Sequence, residues 1–192
     1  MNKLQRYLQS LTNISDQTVN AITESGVNHA VQANSIIFQP DKPFLKLLFL
    51  EKGLLRAYRI IDGKDVTFFF FAPGEFAVDY ESFLTESKSQ LFFESLVDVN
   101  YTAFTKSRIK ALYDLYPAFE RVGRLMAEKA YLSATMRLKE FQAEPLEERY
   151  LKLLNHNPAL FQQVPQYHIA SYLGVSPQSL SRVRAKLQNK NY

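Results

Sequence analysis

Apolar positions recur along the chain in three successive rhythms. Between residues 2 and 25 the spacing predicts short helices: Leu4, Leu8 and Leu11 share one face, and Ile14, Val19 and Ile22 follow Ser15, a residue suited to capping a second helix. From about Val31 to Thr105 the rhythm shortens. Runs such as SIIFQ, LKLLFLEKG, LLRAYRII, DVTFFFFAPG, LFFESLV and VNYTAF are broken by Gly, Pro, Asp and Asn about every eight to twelve residues. That spacing predicts a small antiparallel sandwich or roll, with Gly53 and the Asp62-Gly63 pair supplying turns. The four consecutive Phe, 68 to 71, cannot all point inward from one strand, so two are expected to face the core and two a partner or pocket.

After Lys106 the pattern is helical. Pro117 suits a helix start, and Phe119, Val122, Leu125, Met126, Ala130, Met136 and Leu138 follow among charged residues, predicting a helix of some 25 residues. So long an amphipathic stripe is expected to form a seam between two copies of the chain, with Met126 in it. Pro145 ends the helix and marks a boundary. A further amphipathic helix carrying Leu146, Tyr150, Leu153 and Leu154 runs up to Asn157-Pro158.

Composition narrows the chemistry. The chain has 192 residues, 46% of them apolar, with 11 Tyr and 15 Phe, which excludes intrinsic disorder. No apolar run reaches membrane-spanning length, and MNKLQRYLQS lacks the core of a signal peptide, so a cytoplasmic protein is expected. With no Cys, thiolate nucleophiles, disulfides and Cys-held metal centres are excluded. The three His (29, 156 and 168) lack ligand spacing, so no metal and no cofactor are expected. Charge is uneven. All 19 acids lie at or before Glu148, whereas residues 149 to 192 hold six Lys or Arg and no acid. A basic, acid-free end suits nucleic acid.

Within it, Val164 to Leu187 carries helix-turn-helix spacing. Ala170 permits a close crossing, Gly174 four residues on suits a positive-φ turn, and Leu180, Val183 and Leu187 form a buried stripe. Ser176 and Pro177 read as N-cap and first helical position. At 100° per residue Gln178, Ser181, Arg182, Ala185 and Asn189 occupy the opposite arc, polar or basic and without acid. Arg182 is expected to read guanine and Gln178 an adenine or a neighbouring edge, while Ser176, Ser179 and Lys186 are expected on phosphates.

The order of these parts resembles the Crp/Fnr family of bacterial transcription regulators. The resemblance rests on Glu51-Lys52-Gly53 with Asp62-Gly63-Lys64, on Pro73-Gly74-Glu75-Phe76, on Glu148-Arg149-Tyr150 before Leu153-Leu154, and on Ile169 to Leu187. It implies an α+β fold in three parts: a cyclic-nucleotide-binding-like β-roll over residues 1–116, a dimerisation helix over 117–143 and a helix-turn-helix domain over 144–192 without a full wing. It also implies a homodimer on a near-palindromic DNA site, with RNA polymerase as a further partner, and no enzymatic activity. The ligand-binding positions it points to are Gly74, Glu75, Lys88, Ser89 and Gln90, for an unknown effector or none. Family members that bind cyclic AMP place an Arg after the Gly-Glu pair. Here Glu86-Ser87-Lys88-Ser89-Gln90 offers only Lys88 among Glu75, Asp79, Glu81 and Glu86. Two other readings compete: a cyclic-nucleotide-fold sensor or adaptor acting through protein contacts, which could still bind a nucleotide, and a cupin-like oxygenase, for which the strands lack clustered His and carboxylates. Calorimetry with near-millimolar cyclic AMP is expected to give no heat above dilution. Micromolar binding, abolished by Lys88→Ala, would reverse this.

Overall fold

Two four-stranded antiparallel sheets organise the first part of the chain in the computed structural model, which describes residues 1–190 and side chains through Gln188. Helices α1 (Lys3–Leu11) and α2 (Asp16–Ser25) come first, and Ser15 caps α2 by accepting the Thr18 amide, as its sequence position predicts. Strands β1 (Val27–Val31), β8 (Val99–Thr105), β3 (Lys46–Lys52) and β6 (Phe76–Ala77) form one sheet in that order. The other runs β2 (Ile36–Phe38), β7 (Phe92–Ser95), β4 (Leu55–Ile61) and β5 (Lys64–Phe71). The β4–β5 turn places Asp62 and Gly63 at φ 49° and 73°, the paired left-handed conformations of a tight hairpin.

Sequence rhythm misses β1. It lies at a sheet edge with four of its five residues exposed, so it carries no alternation to read; His29 stacks on Tyr101 of β8 at 4.9 Å. Two short helices are also unannounced, α3 (Tyr80–Thr85) and α7 (Pro158–Gln163). Beyond β8, α4 (Lys106–Leu115) precedes the long α5 (Pro117–Ala143) of 27 residues. Helices α6 (Leu146–His156), α8 (Gln166–Tyr172) and α9 (Pro177–Lys190) complete the described chain.

The chain divides into two compact units. One comprises Met1–Ala57 with Phe70–Tyr131; the other comprises Tyr58–Phe69 with the chain from Leu132 onward. The first unit has two buried clusters. On the sheet side Phe44 and Phe93 stack at 4.4 Å, Phe38 meets Phe44 edge-on at 4.7 Å, and Phe71 lies parallel to Phe93 at 6.1 Å. Of the four-Phe run, Phe71 thus joins the core and none is fully buried. On the helix side Leu4, Leu8 and Ile22 pack with Phe49 and Phe76, and Phe119, Val122 and Met126 of α5 are buried there.

That burial corrects the expected seam. Met126 is 7% exposed within its own chain, because a helical stripe has the same spacing whether it faces its own core or a partner. The apolar residues α5 leaves in solvent come later: Leu132, Met136 and Leu138 are 60%, 62% and 58% exposed. Phe93→Ala is expected to cost about 3–5 kcal/mol in denaturant unfolding, because the stack around it leaves a cavity. A loss under about 1 kcal/mol would show that the Phe cluster is not a core.

Candidate nucleic-acid interface

Helices α8 and α9 form a helix-turn-helix within the second unit, and the turn between them is set by local chemistry. Gly174 takes φ 69°, its amide donates to the Ser171 carbonyl, and the Val175 amide donates to the Ala170 carbonyl, both at 3.0 Å. This is a complete Schellman closure of α8. A Cβ at Gly174 would stand 2.8 Å from the ring of Phe141, so glycine is required by both backbone and space. Ser176 then starts α9, its Oγ accepting the Ser179 amide at 3.1 Å, and Pro177 fills the first helical position.

Two arginines complete the end of α8. Nη1 of Arg149 donates to the Leu173 carbonyl at 2.9 Å and Nη2 of Arg137 to the Tyr172 carbonyl at 3.2 Å. Their positive charge also complements the negative end of the α8 dipole. Arg137 lies 4.0 Å from the Tyr172 ring centre and donates to the Phe68 carbonyl; Arg149 sits over Phe141 at 4.6 Å. Burial pushes the pKa of Arg137 down, opposed by Tyr172 and Glu140. The β4–β5 hairpin end belongs to the same unit: the Thr67 amide donates to Ser171 Oγ at 2.9 Å, and that hydroxyl donates to the Asp65 carbonyl at 3.2 Å.

Burial separates the two faces of α9. Leu180 is 1% exposed, and Ile169, Ala170 and Leu173 of the preceding helix and turn are buried too, whereas Gln178, Ser181, Arg182 and Ala185 are exposed. Asn189 lies outside the described side chains. Arg182 makes no hydrogen bond or ion pair with any described residue. Lys186 is exposed but pairs with Glu147 of α6 at 2.6 Å. Ser176 and Ser179 lie side by side at the start of α9, their hydroxyls 3.0 Å apart.

Of the five residues expected around a ligand, Glu75 and Ser89 have side chains already engaged by neighbouring groups. Gly74 has φ 92°, and the Glu75 carboxylate accepts the Ala72 amide at 2.8 Å, bracing its turn. Ser89 is buried, donating to Asp79 at 2.7 Å and accepting the Leu91 amide. Lys88 and Gln90 are exposed. Arg56, a buried guanidinium of β4, is held by Glu94 of β7 at 2.7 Å. Among the described residues no group of three or more His, Asp or Glu is placed to hold a metal ion, and no helix is long and apolar enough to cross a membrane.

Solved structures with this architecture identify the fold. The c-di-GMP responsive global regulator CLP of Xanthomonas campestris is 16% identical, with 92% of this chain and 93% of that one covered at a TM-score of 0.70. FixK2 of Bradyrhizobium japonicum is 17% identical over 86% of each chain, at 0.72. A Crp/Fnr family regulator of Eubacterium rectale is 15% identical over 96% of this chain and 88% of that one, at 0.67. The chain has the Crp/Fnr regulator fold. No protein-family model and no curated protein sequence matches it.

In this Crp/Fnr fold the reading of 164–187 from spacing places the turn glycine, the cap and the exposed arc. It misses Arg137, Ser171 and Glu147. Arg137 is one basic residue among several on a long helix, and its carbonyl partners are distant in sequence. Arg149 belongs to the Glu148-Arg149-Tyr150 run, and its capping of α8 has no sequence signal. Gly174→Ala is expected to lower stability by about 1–3 kcal/mol, from the left-handed φ and the overlap with Phe141, with thermal unfolding as the measure. An unchanged midpoint would remove the constraint placed on this turn.

Proposed function

We propose that the protein is a cytoplasmic bacterial transcription regulator of Crp/Fnr type, a sequence-specific DNA-binding protein and not an enzyme. One observation carries the reading: α9 presents an exposed face without acid, centred on an Arg182 that is unpaired among the described residues. An α-helix fits the major groove of DNA, and a free guanidinium there can fork to guanine O6 and N7. Gln178 reads beside it. Ser176 and Ser179 contact phosphate at the N-terminus of α9, where amides and dipole favour anions. Lys186 reaches phosphate only by leaving Glu147. The fold shared with CLP, FixK2 and the Eubacterium rectale regulator supports the assignment.

The working parts are the β-roll of residues 1–116, the helix of 117–143 and the helix-turn-helix domain of 144–192. The unit acting on DNA is a homodimer, with the exposed Leu132 and Met136, four residues apart on α5, in its seam. Two α9 helices then meet successive major grooves about 34 Å apart. RNA polymerase is the further partner such a regulator would engage. A ligand at the Gly74-Glu75 turn would meet Lys88 and Gln90, since the polar atoms of Glu75 and Ser89 already have backbone or Asp79 partners. CLP is described as c-di-GMP responsive, and the effector here is equally open to a nucleotide other than cyclic AMP.

Arg182→Ala is expected to keep the fold but lose about 1–3 kcal/mol of discrimination between a preferred site and its single-base variants in competition binding. Wild-type discrimination would exclude Arg182 as a reader. Leu132→Glu with Met136→Glu is expected to give a monomer in sedimentation and weaker DNA binding; a wild-type protein that is monomeric at micromolar concentration would contradict the seam.

A further inference from the structure

We propose that the second unit contains a binding site for a small organic carboxylate, in a cavity of about 550 Å³ between the last turns of α5, α6 and the end of α8. Arg137, Glu140, Arg149 and Lys152 form its charged wall, and Phe141 and Leu173 are among the apolar residues beside them. Pockets that enclose drug-sized molecules measure about 300–1,000 Å³, so the space admits an acid with an apolar body.

One buried atom carries the inference. Nε of Arg149 is sealed from solvent and has no hydrogen-bond partner among the described residues. Nη1 of the same guanidinium donates to the Leu173 carbonyl, and Nη2 makes no hydrogen bond with any described residue. The face of the group is covered by the Phe141 ring at 4.6 Å, so what is left over is the edge formed by Nε and Nη2. An N–H kept from water is ordinarily paired, and that edge matches the two oxygens of a carboxylate. Arg149 as a whole is half-buried and lines the cavity, so an acid entering there meets its guanidinium.

Charge points the same way. Arg137 donates to the carbonyls of Phe68 and Tyr172, and neither it nor Arg149 is paired with a carboxylate among the described residues. Partly buried cations without a counter-ion are costly, and burial already pushes the pKa of Arg137 down. The one carboxylate on the wall, Glu140, is taken by Lys152 at 3.2 Å, and Lys152 is also held by Oε1 of Glu144 at 2.5 Å. Oε2 of Glu144 is itself buried without a partner, although Glu144 does not line the cavity. A Glu144 that swung onto Arg149 would meet the same need from within the chain and leave no place for an acid. Since Arg149 and Arg137 also hold the last carbonyls of α8, an occupant would bear on the turn that directs α9. An effector role for the site rests on the regulator reading above; the binding itself does not.

The test is a titration of the full chain with benzoate at fixed pH and ionic strength, followed through the ring C–H resonances of its three histidines. His156 lines the cavity, whereas His29 on β1 and His168 on α8 do not and serve as controls. Benzoate is expected to shift His156 saturably and leave His29 and His168 in place. Benzamide, which has the same shape without the charge, should bind about tenfold or more weakly, and Arg149→Gln should weaken benzoate by a similar factor. If that variant does not fold, Asn155→Asp, which adds a negative charge at an exposed position of the wall, should weaken benzoate about threefold or more. No saturable His156 shift, which is the result if Glu144 already serves Arg149, would overturn the proposal. So would benzamide binding as tightly as benzoate, or benzoate binding unchanged in a folded variant. No DNA enters the experiment, so its failure and that of the regulator reading are distinguishable.

Discussion

At the end of α8 the chain must satisfy the last carbonyls of a helix and reverse direction within four residues. Gly174 permits the reversal, the Schellman pair closes two carbonyls, and Arg149 and Arg137 take those of Leu173 and Tyr172. The direction of α9, and so the identity of its exposed face, depends on this closure. It also redistributes charge. Arg149 is spent on a carbonyl and an aromatic face, and Lys186 and Lys152 are held by Glu147 and by Glu140 and Glu144. The basic count of residues 149–192 therefore overstates the positive charge free to meet a phosphate backbone. Arg182 and Arg184 have no such partner among the described residues, and Arg182 is the more exposed of the two.

The first unit follows a different logic. Its Phe stack fills the space beside the β2-β7-β4-β5 sheet, the Arg56 guanidinium is neutralised by Glu94, and the Gly74-Glu75 turn and Ser89 are braced internally.

Sequence rhythm carried the fold where periodicity and punctuation agreed. Ser15, Asp62-Gly63, Pro117, Gly174 and Ser176-Pro177 each act where their chemistry predicts. It failed where the signal has two physical causes. An exposed edge strand such as β1 shows no alternation, and a stripe on α5 cannot say whether it meets its own core or another copy, so Met126 was misplaced, and Leu132, exposed beside Met136, was left out of the expected stripe. Of the candidate DNA-contacting residues, the solvent-facing arc of α9 was legible, since helical geometry alone sets it. The pairing of Lys186 with Glu147 was not, because it joins residues 39 positions apart.

The central claim is that two copies of α9 are presented together to DNA. Selection of bound fragments from a random duplex pool tests it most directly. The account predicts enrichment of a near-palindromic sequence with half-sites about 10 base pairs apart, centre to centre. Recovery of fragments with no shared motif, or of a single unpaired half-site at full affinity, would contradict it.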